Sequence, residues 1–150
     1  IPPLDYARVY RLKAARPDLT IIINGGIETL DEAQTHLKHA DGVMLGRAAY
    51  QTPYLLADVD RVLFGSDAPA PARGDVLRRL VPYVERHLSA GGRLNNVTRH
   101  ILGLYHGQPR ARAFRRHLSE RAIGEGAAID VLIDAIALAE GRAPAALAAE

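Results

Sequence analysis

Residues 20–47 read TIIINGGIETLDEAQTHLKHADGVMLGR. Thr20-Ile21-Ile22-Ile23 is a short β-branched run of the kind buried on both faces of a parallel sheet, and it stops at the turn residues Asn24-Gly25-Gly26. Thr29 through Lys38 has a helical pattern. Thr29 stands at the N-cap position and Glu32 follows three residues later, the spacing of a capping box. Asp41-Gly42-Val43-Met44-Leu45-Gly46 then forms a second buried strand. Strand, helix and strand joined by short loops make a βαβ unit, whose two strands run parallel through a right-handed crossover.

Upstream, Leu4, Ala7, Val9, Leu12 and Ala15 fit a helical period that ends near Arg16-Pro17. Downstream of Arg47 the pattern turns helical, with Ala48–Gln51 and Pro53–Phe64 as short pieces. A Gly/Ser/Ala/Pro stretch follows, and a linker at residues 66–73 is expected to separate two domains, 1–65 and 74–140. In the second, Val76, Leu77, Leu80, Val81, Val84 and Leu88 form an apolar stripe with a kink expected at Pro82 and a stop at Gly91-Gly92. Asn95 or Asn96 is placed as the cap of a second helix carrying Val97, Ile101, Leu104 and Tyr105. A third helix spans about Arg110 to Arg121 with Ala111, Phe114 and Leu118 inward. A fourth has Ile129, Leu132, Ile133 and Ile136 inward and Asp130 and Asp134 outward. Four such helices make a small bundle. The Ala/Gly/Pro-rich residues 141–150 read as a flexible tail.

The chain has 150 residues and no cysteine, which excludes disulfides, thiolate nucleophiles and cysteine metal sites. It contains neither a membrane-length apolar run nor a signal-peptide pattern, so a soluble, cytoplasmic protein without membrane association is expected. The net charge of +2 is unevenly spread: residues 1–72 carry 7 basic and 9 acidic side chains, 73–121 carry 11 and 3, and 122–150 carry 1 and 5. All cations of the middle segment are arginine, which pairs bidentately with phosphate. Charge alone leaves two readings open, a polyanionic partner such as nucleic acid or a solubilising helix surface.

A phosphate at the end of a parallel α/β structure is held by backbone N–H groups in glycine-rich turns, where no side chain blocks close approach. Asn24-Gly25-Gly26 follows the first strand, and Gly46-Arg47 follows the second just before a helix. Each turn by itself also reads as a plain chain reversal; at adjacent strand ends the two together suit one shared phosphate, with Arg47 adding a charge-assisted bond. Four of the six histidines, His87, His100, His106 and His117, lie in the basic segment without a metal-ligand constellation, so no metal is expected. Tyr50 and Tyr105 are candidates for stacking on bases or for plain packing.

Several strings together resemble one family. Ile1-Pro2-Pro3-Leu4-Asp5-Tyr6, Ile23-Asn24-Gly25-Gly26-Ile27, Asp41-Gly42-Val43-Met44, Gly46-Arg47-Ala48-Ala49-Tyr50-Gln51 and Arg99-His100-Ile101-Leu102-Gly103-Leu104-Tyr105 are similar to tRNA-dihydrouridine synthases. Arg110-Ala111-Arg112-Ala113-Phe114-Arg115-Arg116 with Leu118-Ser119-Glu120 resembles the A subfamily. The resemblance covers about residues 1–140. It implies an FMN enzyme that reduces the C5=C6 bond of D-loop uridines of tRNA, at positions 20 and 20a in this subfamily, with NADPH recharging the flavin. The implied fold is the last two βα units of an FMN-binding TIM barrel followed by an all-α, tRNA-binding helical domain. The implied FMN contacts are Asn24, Gly25, Gly26, Gly46 and Arg47. The arginines matching Arg112 and Arg115 belong to the subfamily's tRNA-contact signature; Arg116 and Arg99 complete the expected tRNA-binding set. Arg112, Arg115 and Arg116 are three and four apart on one helix and share a face opposite Phe114 and Leu118.

The family's catalytic cysteine has no counterpart here, and a complete barrel usually needs roughly 250 residues. The chain is therefore expected to be a truncated piece, inactive alone and without catalytic residues of its own. Two strands cannot close a barrel, so a rearranged, partly ordered or swapped-dimer remnant is expected. Two other functions compete: a flavin barrel acting on a small molecule, against which the basic helical extension argues, and a non-catalytic RNA-binding helical module, against which the glycine turns argue.

Overall fold

Asp5 starts the first helix by accepting the Arg8 N–H on Oδ1 at 3.0 Å. From there α1 (Tyr6–Ala15) runs until Lys13 folds back, its Nζ donating to the Pro17 and Leu19 carbonyls at 3.1 and 2.8 Å. The computed structural model describes residues 3–143. Strand β1 (Ile22–Asn24) is followed by α2 (Leu30–Leu37) and β2 (Gly42–Met44). The strands pair in parallel with Ile22 opposite Gly42, Ile23 opposite Val43 and Asn24 opposite Met44. The capping box at α2 is complete: Thr29 Oγ1 accepts the Glu32 N–H at 3.1 Å, and Glu32 Oε2 accepts the N–H groups of Thr29 and Glu28 at 3.2 and 2.7 Å.

Ile23, Ile27, Ala33 and Ala40 are buried together, with Tyr6, Val9, Tyr10, Val43 and Leu45 packed against them. The core therefore covers one sheet face. Ile22 and Met44, on the other, are 63% and 45% exposed, so the expectation of strands buried on both faces is corrected. Strand side chains alternate, and α1 and α2 supply apolar partners to the Ile23 side. The βαβ unit is nonetheless regular in pairing and capping. After β2 come α3 (Arg47–Gln51), a 3-10 turn at Pro53–Asp58 and α4 (Val59–Phe64), which ends in a left-handed Gly65.

Contacts divide the chain into two compact units, one running to Tyr50 and including Leu55–Pro69, the other comprising Gln51–Tyr54 and the chain from Ala70 onward. Within the second, α5 (Arg73–Ser89), α6 (Asn95–Thr98), α7 (Ala111–Arg121) and α8 (Ile129–Glu140) surround Phe114, Leu77, Leu94, Leu118, Leu132 and Val84, all essentially inaccessible to solvent. Burying one such side chain contributes roughly 1.5–3 kcal/mol, which makes this cluster the main source of the unit's stability. Helix α5 continues through Pro82 to Ser89. The expected flexible tail, 141–150, lies outside the described residues from 144 onward.

Two expectations for this unit are corrected. The second helix is only Asn95–Thr98, with Leu94 rather than an asparagine at its cap. Beyond it the chain descends through tight turns, with N–H to carbonyl bonds from Ile101 to Thr98, Leu104 to Ile101, His106 to Gly103 and Gln108 to Tyr105. Gly103 packs so closely on the Gln51 carbonyl that an added Cβ would lie 2.0 Å from its oxygen, a contact a continuous helix with an ordinary side chain there could not make. In α8 the buried positions are Leu132, Asp134, Ala135, Ile136 and Ala139, while Ile133 is 47% exposed. The small residues Ala135 and Ala139 face the neighbouring helices and turn Ile133 outward and Asp134 inward.

Candidate functional site

Two structural features coincide with the sequence candidates, one in each unit. In the first, the pairing of Asn24 with Met44 ends both strands level, so the chain leaves the sheet at the same edge from neighbouring parallel strands. Adjacent strands lie about 4.8 Å apart, so the two exits are within reach of one small anion. After β1, Gly25 and Gly26 adopt φ of +117° and +64°, conformations that favour glycine. The turn is fastened by the Tyr6 hydroxyl, which donates to the Gly25 carbonyl at 2.6 Å. A Cβ on Gly26 would meet that hydroxyl at 3.0 Å, and one on Gly25 would meet Leu4 at 3.0 Å. Buried Ile27 then anchors the turn in the core.

After β2, Gly46 accepts the Tyr50 N–H at 3.2 Å and so begins the first turn of α3. An added Cβ there would find nothing closer than the Met44 sulfur at 3.8 Å. Asn24, Gly26, Gly46 and Arg47 are exposed and Gly25 is half-buried. The structure thus brings the five sequence-predicted residues to one end of the sheet. Below it, Asp41 ties strand to helix, accepting the Ile21 N–H and the Lys13 ammonium at 2.8 Å each. These bonds, the backbone N–H first, hold its carboxyl below the usual aspartate range.

The second feature is the exposed side of α7. Arg112, Arg115 and Arg116 are exposed, while Ala111, Phe114 and Leu118 on the opposite side are buried. Phe114 packs against Tyr105 with ring centroids 4.8 Å apart. Tyr105 is only 6% exposed, so of the two tyrosines considered for stacking on bases, it is a core residue. Tyr50 is exposed. Arg99 follows α6 and its Nε donates to His100 Nε2 at 3.0 Å. Some arginines elsewhere pair with a nearby carboxylate, as in Arg16–Asp18, Arg61–Asp58 and Arg78–Asp75. Among the described residues, the three on α7 have no such carboxylate.

Among the described residues no group of three or more His, Cys, Asp or Glu could hold a metal ion, and no helix is long and apolar enough to cross a membrane.

The family model described as "Dihydrouridine synthase (Dus)" matches residues 1–140. The chain belongs to the dihydrouridine synthase family. Among its relatives is the tRNA-dihydrouridine(20/20a) synthase of Shewanella oneidensis, 58% identical over 132 residues, which cover 88% of this chain and 39% of that protein. The proteins of the same name from Vibrio parahaemolyticus and Escherichia coli are 53% and 55% identical, over 91% and 92% of this chain and 42% of their own lengths. The chain thus spans about two-fifths of the length of these curated relatives.

Neither Tyr6 nor Arg73 stands out in the sequence as a site residue. Tyr6 stood only as one letter of a family string, and its partner is 19 residues away. Arg73 was counted in a linker. It opens α5, stacks its guanidinium 3.5 Å over the Tyr54 ring and donates from Nε to the Leu104 carbonyl at 2.9 Å. No local signal marks either contact.

Proposed function

We propose that this chain is the phosphate-gripping end of an FMN-dependent tRNA-dihydrouridine synthase, the last two βα units of its TIM barrel, joined to a helical tRNA-binding domain. On this reading residues 1–65 belong to the barrel, 66–73 link, 74–140 read tRNA and 141–150 form a tail. The observation that carries it is the level ending of β1 and β2, which brings the Asn24-Gly25-Gly26 turn and the Gly46-Arg47 pair to one sheet edge.

These residues fit the phosphate of FMN. The two positive-φ glycines form a turn without side chains in the way, Gly46 leaves room for close approach, and Arg47 offers an exposed guanidinium. Asn24 adds an amide that can donate or accept beside it. Bound there, FMN would supply the hydride that saturates the uridine C5=C6 bond, and NADPH would restore the reduced flavin. The chain's own residues grip and orient. Holding the phosphate fixes the cofactor from one end, and Tyr6 stiffens the turn that does so. Arg112, Arg115, Arg116 and Arg99 bind the phosphate backbone of tRNA, a contact that sets register rather than reading sequence. The chain has no cysteine, so the proton donor implied by the family resemblance is not among these residues, and reduction requires residues beyond them. The names of the relatives support tRNA positions 20 and 20a as the target.

The reading is tested by fluorescence anisotropy with unmodified tRNA and a duplex RNA of equal length at two salt concentrations. Preferential tRNA binding that the Arg112→Ala/Arg115→Ala variant loses is the expected result. Binding indifferent to RNA shape and to both arginines would reduce the basic face to a solvated surface.

A further inference from the structure

His36, in the last turn of α2, is a buried polar side chain, 6% exposed. Burying an imidazole costs free energy that an aliphatic side chain would not, unless its nitrogens find partners. Tyr10 supplies one: its hydroxyl and His36 Nδ1 are hydrogen-bonded at 2.7 Å, across 26 residues of sequence. Tyr10 is itself packed on the His39 ring, with centroids 4.4 Å apart.

The second partner of His36 is Tyr6. The two rings meet edge to face, with centroids 4.5 Å apart and planes at 65°, an arrangement that aromatic pairs prefer. Tyr6 and Tyr10 stand four apart on α1 and so share one side of that helix, where the His36 ring meets both. The bond from Tyr10 fixes the rotation of the imidazole, and a fixed imidazole holds the Tyr6 ring against it. At the far end of that ring the hydroxyl donates to the Gly25 carbonyl at 2.6 Å and lies 3.0 Å from the place a Gly26 Cβ would take. The position of this hydroxyl is thus set from the buried end of the ring as well as from the turn. A turn that holds its binding conformation only part of the time binds with an affinity reduced by that fraction.

We infer that His36, locked by Tyr10, is a positioning residue of the phosphate turn: it acts through Tyr6 to hold Gly25 and Gly26 in the conformation that receives the cofactor's phosphate. The inference rests on the phosphate reading of this turn given above. A histidine that merely filled the core would stabilise the unit as a whole and leave the turn no more affected than the rest.

The test uses the full chain, labelled with ¹³C and ¹⁵N. Tyr10→Phe deletes only the hydroxyl, and His36→Asn keeps an amide for that hydroxyl but removes the ring. Each is made with Tyr6 present and in the Tyr6→Phe background, and thermal unfolding establishes that each variant is folded. In the free protein the Gly25 carbonyl ¹³C resonance reports the hydrogen bond it accepts, with Tyr6→Phe as the unbonded reference. Both variants are expected to move it towards that reference when Tyr6 is present and to leave it in place in the Tyr6→Phe background. Titration with inorganic phosphate at constant ionic strength then follows the Gly25, Gly26 and Gly46 amides. Tyr6→Phe is expected to weaken saturable binding about fivefold, the worth of one ordinary hydrogen bond. Tyr10→Phe and His36→Asn should each lose part of that factor, and the loss should vanish in the Tyr6→Phe background. A Gly25 resonance unmoved in both folded variants, or phosphate losses of equal size in the two backgrounds, would overturn the positioning role. If the wild-type chain shows no saturable shifts while the carbonyl resonance responds as expected, His36 positions Tyr6 and the turn but the phosphate reading falls. Phosphate bound equally well by every variant leaves that reading standing and overturns the role of His36.

Discussion

The Tyr6 hydroxyl donates to the Gly25 carbonyl at 2.6 Å, so the first helix directly fastens the turn that follows the first strand. Replacing Tyr6 by Phe keeps the ring against His36, whose centroid is 4.5 Å away, and removes only the bond. The loss is expected to cost about 1 kcal/mol. Amide exchange at Gly25, Gly26 and Ile27 should accelerate while exchange in α7 stays unchanged. Uniform acceleration across both units would mean that Tyr6 acts on the whole fold rather than on the turn.

The two glycine turns should respond differently to alanine. Gly26→Ala places a side chain at φ +64° and against the Tyr6 hydroxyl, and is expected to destabilise by more than about 1 kcal/mol. Gly46→Ala meets no close neighbour and should leave the urea midpoint nearly unchanged. A loss of phosphate or FMN affinity in Gly46→Ala therefore reports on the site rather than on folding. Retained affinity in that variant would argue against close approach of the ligand at Gly46.

Acid should loosen the first unit. The Ile21 N–H and then the Lys13 ammonium depress the Asp41 pKa, and the Glu28 and Thr29 N–H groups depress that of Glu32. A carboxylate with a lowered folded-state pKa adds stability that is present above its unfolded value, near 4, and is lost as pH falls through the folded one. The urea midpoint should accordingly drop between about pH 5 and pH 2, the region spanned by such depressed carboxylates. In Asp41→Asn the midpoint should be lower at neutral pH and vary less with acid. An unaltered pH profile in that variant would remove Asp41 from the account.

Phe114 is fully buried between the exposed arginines of α7 and the rest of the helical core. Phe114→Ala is expected to cost about 3–5 kcal/mol and to abolish RNA binding by unfolding the unit. Arg112→Ala, on the solvent side of the same helix, should leave thermal unfolding in place while reducing the salt slope by about one. Circular dichroism melts paired with RNA titrations distinguish the two, and a large loss of stability in Arg112→Ala would identify that arginine as structural.

Elements that depend on neighbours a few residues away are legible in the sequence. The Thr29–Glu32 capping box, the β-branched run ending at Asn24, the glycine turns and the arginine spacing of α7 are all local, so they could be read directly. Parallel pairing followed because two strands joined by a helix have little other choice. The phosphate-site candidates were legible for the same reason, since they rest on backbone conformation at strand ends.

Features that depend on distant partners are set by packing instead. The helical period of α8 places Ile133 inward and Asp134 outward, and the burial of Ala135 and Ala139 in the core accompanies the reverse arrangement. The segment after Thr98 had the apolar spacing of a helix, yet the fit of Gly103 against Gln51 accompanies a series of tight turns instead. The bonds from Tyr6 to Gly25 and from Arg73 to Leu104 span 19 and 31 residues. Periodicity assigns each residue a face of its own element but not the group that will meet it there, because side-chain contacts between elements are set by packing and not by spacing along the chain.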